Sequence, residues 1–205
     1  MQHLSELDSS FLVLESDQSP LHVGGVFVFR KSGSRSRFNF NRFRDIIENK
    51  LPNEAFFRAR LIEQASNESM PVWADDPDFE LDNHLDYIRL SDLPSPCSLM
   101  ELAAEIFSTP LDRNKPLWSA TYVDGFNEEG YGKLHFALIL KVHLTAIDGT
   151  TGEDILSQLL HVSPEITEIE HTEEWNPPPL PESGSLLGAA YTSALTLPRK
   201  LGDLA

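Results

Sequence analysis

Lys141-Val142-His143-Leu144-Thr145-Ala146-Ile147-Asp148-Gly149 is the stretch on which the reading of this chain turns: a histidine closes an apolar run, and an Asp-Gly pair follows just ahead of a helix signal. Immediately upstream, 131–143 is a long apolar strand. The run 116–124 before it alternates around Trp118, Ala120 and Tyr122, and Asp124-Gly125-Phe126-Asn127-Glu128-Glu129-Gly130 reads as a turn. The two strands therefore predict a β-hairpin. Downstream, Thr150 and Glu153 have capping-box spacing and open a helix through Ile155, Leu156, Leu159 and Leu160. Taken by itself, the window is a strand-turn-helix junction in which Asp148-Gly149 supplies turn geometry and His143 is a satisfied core or edge residue.

Outward from the junction, the chain alternates between helix and strand signals. Ser98 and Glu101 form a capping box ahead of the stripe Leu99, Leu102, Ala103, Ile106 and Phe107, which predicts a helix over 98–108. Phe40, Phe43, Ile46, Ile47 and Leu51 recur at three- and four-residue steps and predict another over 38–51. Residues 4–14 form a short helix or turn. Strands are expected at 21–30 and 57–63, with extended chain at 70–74 and 84–90. After 162 the character changes: 164–174 holds five Glu and no Lys or Arg, and Trp175-Asn176-Pro177-Pro178-Pro179-Leu180-Pro181 reads as extended chain.

Composition limits the function. The chain has 205 residues, with 16 Lys and Arg against 32 Asp and Glu, a formal charge of −16, and 40% hydrophobic residues. A surface of that sign repels phosphate backbones and anionic headgroups, so nucleic-acid binding and polybasic membrane anchoring are not expected. The single Cys97 can close no internal disulfide and supplies no multi-cysteine metal site, which points to a reducing compartment. The first residues show no basic-then-apolar leader, and no stretch approaches about 18 apolar residues. His22, His84, His135 and His161 are dispersed without an i,i+4 pair, so structural or surface roles are expected and no metal. Gly24-Gly25 lacks the spacing of a phosphate loop, and Ser9 and Ser10 lack a nucleophile elbow. Asp112-Arg113 and Trp118 are expected to tie and pack the hairpin.

The window and its surroundings resemble the bacterial wax ester synthase/diacylglycerol acyltransferase family, whose signature is His-His-x-x-x-Asp-Gly. The amino terminus, Leu4-Ser5-Glu6-Leu7-Asp8-Ser9-Ser10-Phe11-Leu12 with Pro20-Leu21-His22-Val23-Gly24-Gly25, is similar to that family's. So are Phe57-Arg58-Ala59-Arg60-Leu61, Pro71-Val72-Trp73-Ala74-Asp75-Asp76-Pro77-Asp78-Phe79 with His84, and Pro110-Leu111-Asp112-Arg113-Asn114-Lys115-Pro116-Leu117-Trp118, all in the same order. The resemblance implies an α+β fold, an α/β sandwich of chloramphenicol-acetyltransferase-like type with a mixed sheet flanked by helices. It implies an amino-terminal acyltransferase domain at 1–162, an acidic, Pro-rich linker at 163–184, and at 185–205 the start of a crossover helix toward a second domain. Acyl-CoA would be the cosubstrate with no bound cofactor, and a long-chain alcohol or diacylglycerol the acceptor. The other partner would be the carboxy-terminal half of the fold. Localisation would be cytoplasmic, with at most peripheral contact at a membrane or lipid droplet. Gly24-Gly25 would serve a close backbone approach within a strand.

The signature is broken at one place. Counting back from Asp148-Gly149, the first His of the signature is His143 and the second, the general base, falls on Leu144, which cannot accept a proton. Asp148 would be architectural and Gly149 would permit the turn. The resemblance also implies a reaction tunnel between the two halves of the fold; neighbouring side chains of an extended strand point to opposite faces, so His143 should face away from that tunnel unless the backbone turns there. Three readings stay open: an inactive member that still binds acyl ligands or a partner, an inactivated variant of an acyltransferase, or an enzyme with His143 re-aimed as base. A condensation-type domain for a non-lipid acceptor is the more distant rival. An inter-domain tunnel also predicts an exposed apolar face on this half alone.

Overall fold

A computed structural model gives the structure, which describes residues 2–16, 18–31, 38–62, 71–126, 131 and 135–147. The expected helix from Thr150, the linker at 163–184, the segment 185–205, and Asp148 and Gly149 lie outside the described residues.

The elements in order are β1 (Gln2–His3), α1 (Glu6–Leu14), β2 (His22–Arg30), α2 (Phe40–Glu48), β3 (Ala59–Ile62), β4 (Val72–Asp75), β5 (Leu85–Arg89), α3 (Leu99–Ser108), β6 (Trp118–Asp124) and β7 (His135–His143), with a 3-10 turn at Leu144–Ala146. Most sequence expectations hold to within a few residues. The helix expected over 38–51 ends at Glu48, and the strand expected from Phe57 starts at Ala59 because Ala55–Phe57 is a 3-10 turn. The capping box of α3 is complete: Ser98 N donates to Glu101 Oε2 at 2.8 Å and Glu101 N to Ser98 Oγ at 3.2 Å.

The strands form two sheets. One is small, ordered β1-β4-β3; the other is four-stranded, ordered β2-β7-β6-β5. In the larger sheet β7 pairs antiparallel with β2 and with β6, as the hairpin reading requires, while β5 and β6 run parallel. Helix α3 is the crossover that a parallel neighbour demands. The sheet is therefore mixed, with a helix over each face. On β7, Phe136, Leu138, Leu140 and Val142 face a core shared with Phe43 and Ile47 of α2, whereas Ala137 and Ile139 face Leu99, Leu102 and Ala103 of α3. Strand β7 is buried on both faces, which is why its sequence is continuously apolar instead of alternating.

Among the described residues, the aromatic core holds an unmatched hydroxyl. Tyr122 is wholly buried among Phe38, Phe43 and Phe136, and its hydroxyl has no hydrogen-bond partner. Tyr122→Phe removes that penalty with little change of shape, so it should stabilise the fold by about 1 kcal/mol. The expected readout is a thermal midpoint about 3 °C higher; a lower midpoint would show that the hydroxyl has a partner in solution.

Helix α1 is different in kind. It buries no residue fully and leaves Leu7, Val13 and Leu14 at 68%, 83% and 68% exposure.

Candidate functional site

The end of β7 sets the site. His143 N–H donates to Leu117 O (3.0 Å), before β6, and Leu144 N–H donates to Leu21 O (2.9 Å), before β2. Successive amides thus reach opposite neighbours, as an extended chain requires, and the chain then tightens into the turn at Leu144–Ala146. In the cross-strand register His143 lies opposite His22, and Lys141 opposite Gly24. These residues share the face covered by α3. Lys141 Nζ donates to Ile106 O (2.9 Å) and Thr109 O (2.6 Å), and His22 Nε2 lies 2.8 Å from Phe107 O, so the carboxyl end of α3 is capped from the sheet by basic groups, the sign its dipole favours.

His143 is completely buried. Its Nδ1 accepts a hydrogen bond from Thr145 N–H at 3.0 Å, which caps the turn. A neutral ring with Nδ1 accepting carries its proton on Nε2. That nitrogen lies 3.3 Å from Glu15 Oε1, in ion-pair range but off the line of a good hydrogen bond. Glu15, the residue that ends α1, is held from three sides. Leu21 N–H donates to Oε1 (3.1 Å), and Arg113 gives two contacts to Oε2, Nε at 2.8 Å and a terminal nitrogen at 2.7 Å. The same guanidinium donates to Leu12 O at 2.7 Å. Thr145 Oγ1 completes the seam, 3.3 Å from Asp8 O.

The electrostatics fix the charge states. Burial lowers the pKa of His143 below the ordinary imidazole value, Arg113 and His22 lower it further, and Glu15 opposes them without prevailing. Burial would raise Glu15, but the hydrogen bonds from Arg113 and Leu21 and the charges of His143 and Arg113 leave it below the usual carboxylate value. At neutral pH the arrangement is a neutral imidazole beside a carboxylate-guanidinium pair. His22 and His84 are also lowered, chiefly by burial. A histidine depressed in the fold takes its proton at higher pH when unfolded, so its contribution is complete above the unfolded value of 6.5 and is lost as pH falls through the folded one. The urea midpoint should be flat between about pH 7 and 8 and fall below pH 6.5; a maximum on the acid side of 6.5 would contradict this.

The structure brings together some of the sequence candidates. His143 and Leu144 sit at the strand end, and the half-buried Leu144 begins the turn. Arg113 corrects an expectation: it does not tie the hairpin but reaches back to α1, because Glu15 offers a nearly buried anion there. Asp112 holds its own loop through Asn114 (3.0 and 2.9 Å), and Trp118 packs as expected, donating from Nε1 to Phe57 O at 2.9 Å. His84 is a core residue stacked between Phe79 and Trp118. Sequence reasoning missed Glu15. Its signal was an acid at the carboxyl end of an apolar helix, where the helix dipole disfavours negative charge and an external cation is needed. Among the described residues no three His, Cys, Asp or Glu could hold a metal ion, and no helix is long and apolar enough to cross a membrane.

Comparison with known proteins gives the family and the fold. A family model for the wax ester synthase/diacylglycerol acyltransferase catalytic domain matches residues 4–202. A probable diacylglycerol O-acyltransferase of Mycobacterium tuberculosis is 32% identical over 200 residues, covering 91% of this chain and 41% of that protein. A second from the same organism is 34% identical over 151 residues, covering 72% and 52%. The chain thus spans about a third to a half of the relatives it matches. Among solved structures, the wax ester synthase/diacylglycerol acyltransferase of Marinobacter aquaeolei VT8 superposes with a TM-score of 0.59 at 28% identity, covering 77% of this chain and 36% of that one. The starter condensation domain of rhizomide synthetase, at 11% identity and a TM-score of 0.55 over 77% and 35%, shares the fold alone. The mixed sheet with a helix on each face is accordingly the chloramphenicol-acetyltransferase-like fold. With the family model matching nearly the whole chain, the chain belongs to the wax ester synthase/diacylglycerol acyltransferase catalytic domain family.

Proposed function

We propose that the chain is the amino-terminal part of an acyl-CoA-dependent O-acyltransferase acting on a long-chain alcohol or diacylglycerol, and that Leu144 leaves it catalytically weak or silent. In that reaction the acceptor hydroxyl oxygen bonds to the thioester carbonyl carbon, the carbon-sulfur bond breaks, and the hydroxyl proton passes through a base to the departing thiolate. The observation that carries the second clause is the state of His143. Its one basic lone pair, on Nδ1, is occupied by Thr145 N–H, and its Nε2 proton faces Glu15. The ring has no free acceptor to offer a hydroxyl, so it does not replace the base missing from position 144. Asp148 and Gly149 keep the architectural roles that the family signature gives them.

A second reading has support of its own: a non-catalytic acyl-lipid-binding or partner subunit of the same fold. Leu144 favours it, as does the exposed apolar surface of α1. The deciding experiment follows thiol release from acyl-CoA with a long-chain alcohol, with the remainder of a family enzyme supplied, for this chain and for Leu144→His. Turnover appearing only in the variant supports the first reading. Saturable acyl-CoA binding without turnover in either selects the second. Equal robust turnover in both would sink the idea that Leu144 silences the chain.

A further inference from the structure

We infer that Glu15, clamped by Arg113, is a positioning residue that holds His143 in one tautomer and thereby sets the direction in which residue 144 leaves the strand. The inference rests on the proposed function only for its catalytic consequence.

Four constraints meet at the turn. Arg113 fixes the Glu15 carboxylate by two contacts, and its own attachment to Leu12 O fixes it to α1. The carboxylate faces His143 Nε2, where only the protonated nitrogen is tolerated. With that proton placed, Nδ1 is left as an acceptor and takes Thr145 N–H. Leu21 closes the ring by donating its N–H to Glu15 and accepting from Leu144 N–H. A ring with the opposite tautomer would point a proton at the Thr145 amide and a lone pair at the carboxylate, which is repulsive at both ends. The turn would then lose its cap, and the backbone at 144 would be free to rotate. The charged and titratable groups facing His143 are Glu15 from α1, Arg113 from the loop before β6, and His22 across the strand pair. Of these, Glu15 is the one with an acceptor atom in range of His143 Nε2, at 3.3 Å.

The test reads the imidazole nitrogen resonances of His143 in the intact 15N-labelled chain, so it needs no turnover. The parent should show a single tautomer, protonated at Nε2, from pH 8 down to the onset of acid unfolding. Glu15→Gln keeps the shape but leaves Arg113 without its anion, and should give mixed tautomers. Glu15→Asp covers the case in which Glu15→Gln does not fold: it keeps a charge for Arg113 but is one methylene too short to reach His143 as well, and it should also mix the tautomers. In the Leu144→His background, adding Glu15→Asp should lower kcat by about 10- to 100-fold with KM little changed, the effect of an ångström-scale misplacement. A single Nε2-protonated tautomer in both Glu15 variants would overturn the inference, as would kcat unchanged by Glu15→Asp in a Leu144→His protein that turns over. If Leu144→His shows no turnover, the proposed function falls and the resonances still decide the role of Glu15.

Discussion

Leu144→His is expected to raise the rate of acyl transfer by about 10²- to 10⁴-fold over the parent chain, the usual contribution of a positioned general base. The turn that would carry the new imidazole is already built, because His143 caps it, Thr145 ties it to α1 and Leu144 N–H is bonded to Leu21 O. Leucine and histidine are close in size, and position 144 is only half-buried, so the substitution need not repack the core. Imidazole is the side chain whose ordinary titration lies nearest neutrality, which suits proton abstraction there. Thiol release with a long-chain alcohol measures the gain, and Leu144→Gln is the control: it adds polarity without basicity and should gain nothing. A gain of the same size in Leu144→Gln would mean that polarity, not a base, is what the site lacks.

Gly24→Ala should be the most disruptive single methyl in the sheet, destabilising the chain by about 3 kcal/mol or more. A Cβ at Gly24 would run into Leu140 O and stand 2.6 Å from the Phe107 ring. The first contact is with the backbone of the paired strand, so it can be relieved only by pulling β2 away from β7. The neighbouring Gly25 is the internal comparison. The nearest atoms a Cβ there would meet belong to the ring of Phe27 on its own strand, at 2.9 Å, and a side chain can turn aside. Gly25→Ala should therefore cost about 1 kcal/mol by the same scale. Urea unfolding of the two variants tests the ranking; equal losses would refute the backbone clash. Because His22 lies two residues from Gly24 and opposite His143, Gly24→Ala should also disturb the resonances of His143, which Gly25→Ala should leave in place.

How much of this was legible beforehand depended on the range of the interaction. Capping at Ser98, the stripe of α3 and the alternation of β6 are local, and residues within a few positions of each other specify them. The need for glycine at 24 could be expected from the family resemblance, but its cause, the carbonyl of Leu140, belongs to a strand far along the chain. The parallel pairing of β5 with β6 leaves no mark in either strand's pattern: β5 is an edge strand with Asp86, Tyr87 and Arg89 exposed, β6 is buried along most of its length, and neither pattern carries a direction. Glu15 likewise carries no local mark of its partner. Its partner Arg113 is 98 residues away, and nothing near Glu15 in sequence shows that a cation will arrive. The apolar run of β7 marks His143 as a strand-end core or edge residue, whereas its contact with Glu15 of α1 comes from packing alone.

The seam between α1 and the turn after β7 also dictates an order of assembly. Thr145 and Asp8, which meet there, are 137 residues apart, and β2 finds its partner only when β7 has formed. Contacts of such separation carry the largest loop-closure cost and form late. During synthesis from the amino terminus, β2 with its run Val26-Phe27-Val28-Phe29 must wait unpaired until residues beyond 143 emerge. The site is thus the last part of the described fold to close, and the interval before closure is when this chain is most exposed to pairing with the wrong strand.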